Sequence, residues 1–169
     1  MGRKERERLY ISEYCFETWP EGNFLLNVCL GPIPDYLLEA HGPAKAAAIY
    51  RPTRPRVDAV KWDKDHYYLI EAKVREIKNG IGDLSFYRGL VPSTKDLPYY
   101  DGQPFVYRLV VPWTLDWVLE SASQNGIEVV LYWRDWIADY VKERQNYFTR
   151  EYREARAEKV RLQKALGVD

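Results

Sequence analysis

Cysteine and histidine are scarce in this chain, which has two of each. Cys15 and Cys29 form no CxxC and no disulfide framework, so a reducing compartment is the expected setting. His41 and His66 stand apart, without the spacing of a zinc site. No run of about 18 apolar residues occurs, so no membrane-spanning helix is expected. The opening MGRKERERLY is charged and no apolar stretch follows it, unlike a secretory signal. No GxxxxGK(S/T) loop and no GxSxG elbow occur, so neither ATP use nor serine-hydrolase chemistry is supported. Net charge is missing too, since 25 Lys and Arg balance 25 Asp and Glu. No overall basic field announces a nucleic-acid partner, although a local basic cleft is compatible with zero net charge. The expectation is a soluble, cytoplasmic protein.

What is present is a core. The chain of 169 residues is 46% hydrophobic and 15% aromatic, enough for one domain. Residues 10–19 and 24–30 flank a PEGN turn, either as a hairpin or within helices. PDYLLEAHG (34–42) predicts a short helix stopped by Gly42. Residues 46–55 read as extended, broken by Pro52 and Pro55. RVDAVKW (56–62) and YYLIEAKV (67–74) read as strands of a hairpin. GIGDLSFYRGLV (80–91) has helical spacing of Ile81, Leu84 and Tyr87. A strand (105–113), a helix with Thr114 as N-cap and Gly126 as stop, and a strand (127–133) follow. A long charged helix begins near Asp135. The fold class expected is α/β: a mixed central sheet flanked by helices, residues 1–134, with a C-terminal helical extension over 135–169.

One stretch breaks its own pattern. In YYLIEAKV, Glu71 and Lys73 share a strand face with Tyr67 and Leu69. A carboxylate inside a half-buried strand is costly unless something compensates it. A turn centred between Lys64 and Asp65 pairs residues whose numbers sum to 129. Asp58 then faces Glu71 across the hairpin, and like charges so placed repel. A divalent cation reverses that sign, because Mg²⁺ is held by one or two carboxylates with water and phosphate. Lys73 points to the same side, within reach of a phosphate. The plainer alternative is a solvated strand face.

Asp58 followed by Glu71-Ala72-Lys73 on a hairpin resembles the PD-(D/E)XK nuclease superfamily. The order strand, strand, helix, strand, helix, strand over about residues 35–133 is similar to that family's core, restriction-endonuclease-like. The thirteen-residue interval from Asp58 to Glu71 is like that of its archaeal Holliday-junction resolvases. The resemblance implies a Mg²⁺- or Mn²⁺-dependent DNA endonuclease, with branched or structured DNA as a candidate substrate. Asp58 and Glu71 would be metal ligands, with the Ala72 carbonyl. Lys73 would orient or help deprotonate the attacking water. Glu39, with Asp35 behind it, is the candidate acid from the preceding helix; an exposed helix acid is the plainer reading. Val57 stands where the family has Pro. Asp83 stands where an exonuclease-like Gln-x-x-x-Tyr element would have Gln, with Tyr87 in register, which argues against end-processing. Arg51, Arg54, Arg56, Lys61, Arg75 and Lys78 are candidate DNA contacts. Tyr99 and Tyr100 are candidates for base stacking, beside a plainer role in the core.

Residues 142–164 carry eight basic and four acidic side chains. Val141, Phe148, Ala155 and Leu162 repeat every seven residues, flanked by Tyr152 and Leu166. This stripe suits self-association, a protein partner, or a helix along a phosphate backbone. A catalytically silent scaffold or virion assembly protein is the competing functional class, because fold alone does not fix function.

Overall fold

The computed structural model describes residues 3–147, 154, 156–158, 160 and 161. Its elements are α1 (Arg3–Thr18), β1 (Phe24–Cys29), α2 (Asp35–His41), α3 (Pro43–Tyr50), β2 (Arg56–Trp62), β3 (Tyr67–Ala72), α4 (Ile77–Leu90), β4 (Phe105–Val111), α5 (Asp116–Gln124), β5 (Ile127–Leu131) and α6 (Asp135–Tyr147). The chain divides into two compact units at Tyr132/Trp133. The second unit contains α6 and, beyond it, helical residues 154, 156–158, 160 and 161. Of the heptad stripe, Phe148, Tyr152, Ala155, Leu162 and Leu166 lie outside the described residues.

The five strands lie in sequence order, β1-β2-β3-β4-β5. The first three are antiparallel, whereas β3, β4 and β5 run parallel. This is the mixed α/β sheet with flanking helices that the strand and helix patterns predict. Helix α1 covers one face through Tyr10, Ile11, Tyr14 and Cys15, a spacing that forms a single stripe. On that face the Arg108 guanidinium reaches the Tyr14 hydroxyl and lies 4.7 Å from the Tyr68 ring centre. Helices α4 and α5 cover the other face, packing Ile81, Leu84, Tyr87, Val118 and Ala122 against Leu69, Leu109 and Val111. Strand β3 is therefore the middle strand, covered on both sides, and Tyr67, Leu69, Ile70 and Ala72 are buried.

Of the two readings open for residues 10–19, the helical one holds, since α1 runs to Thr18. Two other local expectations fail. Residues 43–50 are helical rather than extended, because Pro43 at the first position and four alanines outweigh the later prolines. Pro52 then sits in a 3₁₀ turn that ends the helix. Thr114 does not cap α5; Leu115 holds that position and no side chain caps it. The Gly126 stop is present at φ 61°, a conformation that suits glycine.

Candidate functional site

The hairpin pairs Trp62 with Tyr67, Lys61 with Tyr68, Val60 with Leu69 and Ala59 with Ile70, all summing to 129. Asp63 fixes this register. Its Oδ1 accepts from the Asp65 and His66 amides at 2.9 and 2.8 Å. An ion pair with Lys61, reinforced by those amides, holds the Asp63 carboxyl down at about 2. Neither Lys64 nor Asp65 takes positive φ, so a side-chain bridge does the work that a primed turn does elsewhere.

At the other end of the hairpin the strands part. Ladder pairing stops at Ala59–Ile70, and the Ala72 amide donates to Asp58 Oδ2 at 2.9 Å. Glu71 follows on the same side and is only 3% exposed, so the solvated-face reading is wrong. Lys73 Nζ lies 2.5 Å from Glu71 Oε1 and 2.9 Å from Asp83 Oδ2. Glu71 Oε2 is buried and has no hydrogen-bond partner. Burial pushes the Asp58 carboxyl up to about 6, with Ala72 and Lys73 opposing that rise. Burial, then the Asp58 charge, pushes Glu71 higher still. Burial works against the Lys73 ammonium, but Glu71 and Asp83 outweigh it and hold its pKa above the ordinary value. One cation thus faces three carboxyl groups.

Helix α4 brings Asp83 here through an unusually close approach. A Cβ on Gly80 would lie 2.3 Å from Leu109 Cδ1 and 3.2 Å from Lys73 Cγ. A side chain at this position would have to push Leu109 and the Lys73 stem aside for α4 to sit so near β3 and β4. The link from β3 is equally tight, and Glu76 turns the chain with φ 53°. That left-handed conformation costs a non-glycine residue about 1–2 kcal/mol. Tyr87, one turn after Asp83, donates to the Arg56 carbonyl at 3.0 Å and ties α4 to β2.

Of the expected site, Asp58, Glu71 and Lys73 come together. Glu39 does not join them: it is exposed on α2, where no residue is buried. From α1, the Glu7 charge adds a lesser upward push on the Asp58 carboxyl. No local signal marks Glu7, because α1 meets the hairpin only in the folded chain. Asp83 was legible as a position but not as the partner of Lys73.

The candidate basic residues divide. Arg54 is buried and bonded on all sides. It donates to both Asp96 carboxylate oxygens at 2.6 Å and to the Leu30 and Gly31 carbonyls at 3.3 and 2.7 Å. It is a structural staple and cannot contact DNA. Lys61 is likewise occupied, paired with Asp63 and placed 4.8 Å from the Tyr68 ring centre. Arg51, Arg56 and Lys78 are exposed, and Arg75 is half-buried. Tyr99 stacks on Trp62, and Tyr100 on Phe105, at the hairpin-turn end of the sheet, away from Lys73.

Among the described residues, no group of three or more His, Cys, Asp and Glu is arranged to hold a metal ion. A two-carboxylate site needs no third protein acid, since Mg²⁺ commonly keeps water and phosphate as its remaining ligands. The unpartnered Glu71 Oε2 and the surplus of carboxyl groups fit a hard cation. Among the described residues, no helix is long and apolar enough to cross a membrane. No family model, curated protein or solved structure matches this chain.

Proposed function

We propose that the chain is a Mg²⁺- or Mn²⁺-dependent DNA endonuclease of the PD-(D/E)XK type. The observation that carries this reading is a buried Glu71, its Oε2 unpartnered, beside a half-buried Asp58 and Lys73. Asp58 and Glu71 would hold the cation, with the Ala72 carbonyl beside them. A bound divalent cation supplies charge neutralisation at the phosphate and acidifies water. Lys73, released from Glu71 Oε1, orients the attacking water or contacts the phosphate. Asp83 keeps the ammonium at the site when that pair opens. Arg56 and Lys78 offer charge to the flanking phosphates.

The competing reading is a silent scaffold, and one observation favours it. Lys73 is already engaged by Glu71 and Asp83, as in a structural ion-pair network. Incubating duplex, single-stranded, flapped and four-way DNA with Mg²⁺ or Mn²⁺ separates the two. Wild type is expected to cut at least one substrate. Asp58→Asn and Lys73→Ala are expected to lose at least 100-fold in rate, about 2.7 kcal/mol of transition-state stabilisation, while melting cooperatively. A wild type that cuts none of the four, or either variant cutting at the wild-type rate, sinks the assignment.

A further inference from the structure

Three parallel strands end at the edge where Asp58, Glu71 and Lys73 gather. The Lys73 amide donates to the Val110 carbonyl at 3.0 Å, so β3 and β4 finish side by side. The chain leaves β4 through Pro112 and Trp113 and enters α5 at Asp116. Three extended residues reach at most about 11 Å, so Trp113 lies only a few nucleotides' length from the Lys73 backbone. In open α/β sheets, ligands bind outside the carboxyl ends of the parallel strands.

That edge carries large apolar side chains in water. Trp113 is 38% exposed, Leu115 56% and Trp117 53%. Leu131, paired with Val111 at the end of β5, is exposed too. Helix α5 does not need them for its own packing, which rests on Val118 and Ala122. Exposed indole rings beside a phosphate-handling site have one natural occupant. A nucleobase is flat, apolar on its faces, and joined to the phosphate by a short covalent link. A paired base in a duplex hides its faces in the stack, whereas an unpaired base offers them.

We infer that Trp113 and Trp117 form a stacking rim for unpaired bases next to the scissile phosphate, so that this protein prefers nucleic acid with a single-stranded segment. The inference rests on the nuclease reading for its choice of ligand, but it is tested by binding rather than cleavage. The probes are a blunt duplex and the same duplex carrying an oligo-dT tail, each labelled for fluorescence anisotropy. The protein is the full chain bearing Glu71→Gln, in Mg²⁺, so that the probes survive. The tail is expected to tighten binding at least tenfold. Trp113→Ala and Trp117→Ala should each weaken binding to the tailed probe by about 5- to 100-fold and leave the blunt duplex unchanged. Trp113→Phe and Trp117→Phe, which keep a ring, should retain most of the preference, which guards against a folding defect.

Equal affinity for the two probes overturns the inference, as do alanine variants that bind the tailed probe like their parent. A change in self-association with DNA binding unaltered also overturns it, and makes the rim a protein contact. Tail preference that depends on both indoles, in a wild type that cuts nothing, supports the rim and sinks the nuclease reading. Cleavage by wild type with no effect of either tryptophan does the reverse.

Discussion

Arg54 and Lys73 are both cations sunk into one sheet-and-helix unit, and their surroundings could hardly differ more. Arg54 has a side chain 2% exposed and partners for its whole fork: two oxygens of Asp96 and two backbone carbonyls. Charge and hydrogen bonds both close. Lys73 is one ammonium among Asp58, Glu71 and Asp83, and one oxygen of Glu71 is left over. A buried group with every bond made serves the fold. A buried group with negative charge to spare is held against the fold's preference, the kind of surroundings that functional sites share with some structural ion-pair networks.

The sharpest way to break the contrast is to remove Arg54. Arg54→Met takes the Arg54 bonds from the Leu30 and Gly31 carbonyls and from both Asp96 oxygens. A loss of about 3 kcal/mol is expected in urea unfolding, the low end for a buried pair because Asp96 is partly in water. An unchanged midpoint would show that Arg54 is no staple.

Next in size is Gly80→Ala. The added methyl must displace Leu109 and the Lys73 stem, at a cost of about 1–3 kcal/mol. Unlike Arg54→Met, it should also loosen the Lys73–Asp83 pair, so that cleavage falls by more than the folded fraction does. Proportional losses of both would place Gly80 with the core alone.

The smallest effect, and the most telling in sign, belongs to Glu71→Gln. Both Asp58 and Glu71 sit above their unfolded pKa values, so the folded protein binds more protons than the unfolded chain between pH 3.8 and about 8. Their contribution to stability is present at low pH and is lost as pH rises through that window. In metal-free buffer, Glu71→Gln should match or exceed wild type at pH 8, by up to about 1 kcal/mol. That advantage should shrink towards pH 5, where the wild-type carboxyls are protonated. Added Mg²⁺ or Mn²⁺ should raise the wild-type melting temperature and move the variant far less. A variant less stable than wild type at pH 8, beside a wild type indifferent to metal, would make the Lys73 cluster a second Arg54.

These outcomes bear on how the sequence could be read. The hairpin register was legible because two apolar alternations flank a short connection, whereas the Asp63 bridge that fixes the turn was not read. That register set Asp58 opposite Glu71 with Lys73 on the same side, and the resemblance to a nuclease family supplied their expected roles. Arg54 was misread as a DNA contact because its partner Asp96 lies 42 residues away. Lying among exposed arginines and prolines, it looked like any solvated loop cation. The effect of the Glu7 charge on Asp58 was invisible for the same reason, because α1 meets β2 only in the folded chain. Helix α3 was misjudged because Pro52 and Pro55 were allowed to speak for alanines several residues before them. What is carried by neighbours along the chain could be read, and what is carried by contacts across the sheet could not.

The bond from the Ala72 amide to Asp58 Oδ2 has a use of its own. Most amides in a central strand answer to a carbonyl whose charge never changes. This one answers to a carboxylate whose pKa burial pushes up to about 6. Its proton resonance should therefore shift as Asp58 titrates, and should stop shifting once a cation holds that oxygen. The backbone carries, one residue from Glu71, a spectroscopic gauge of the site that needs no label.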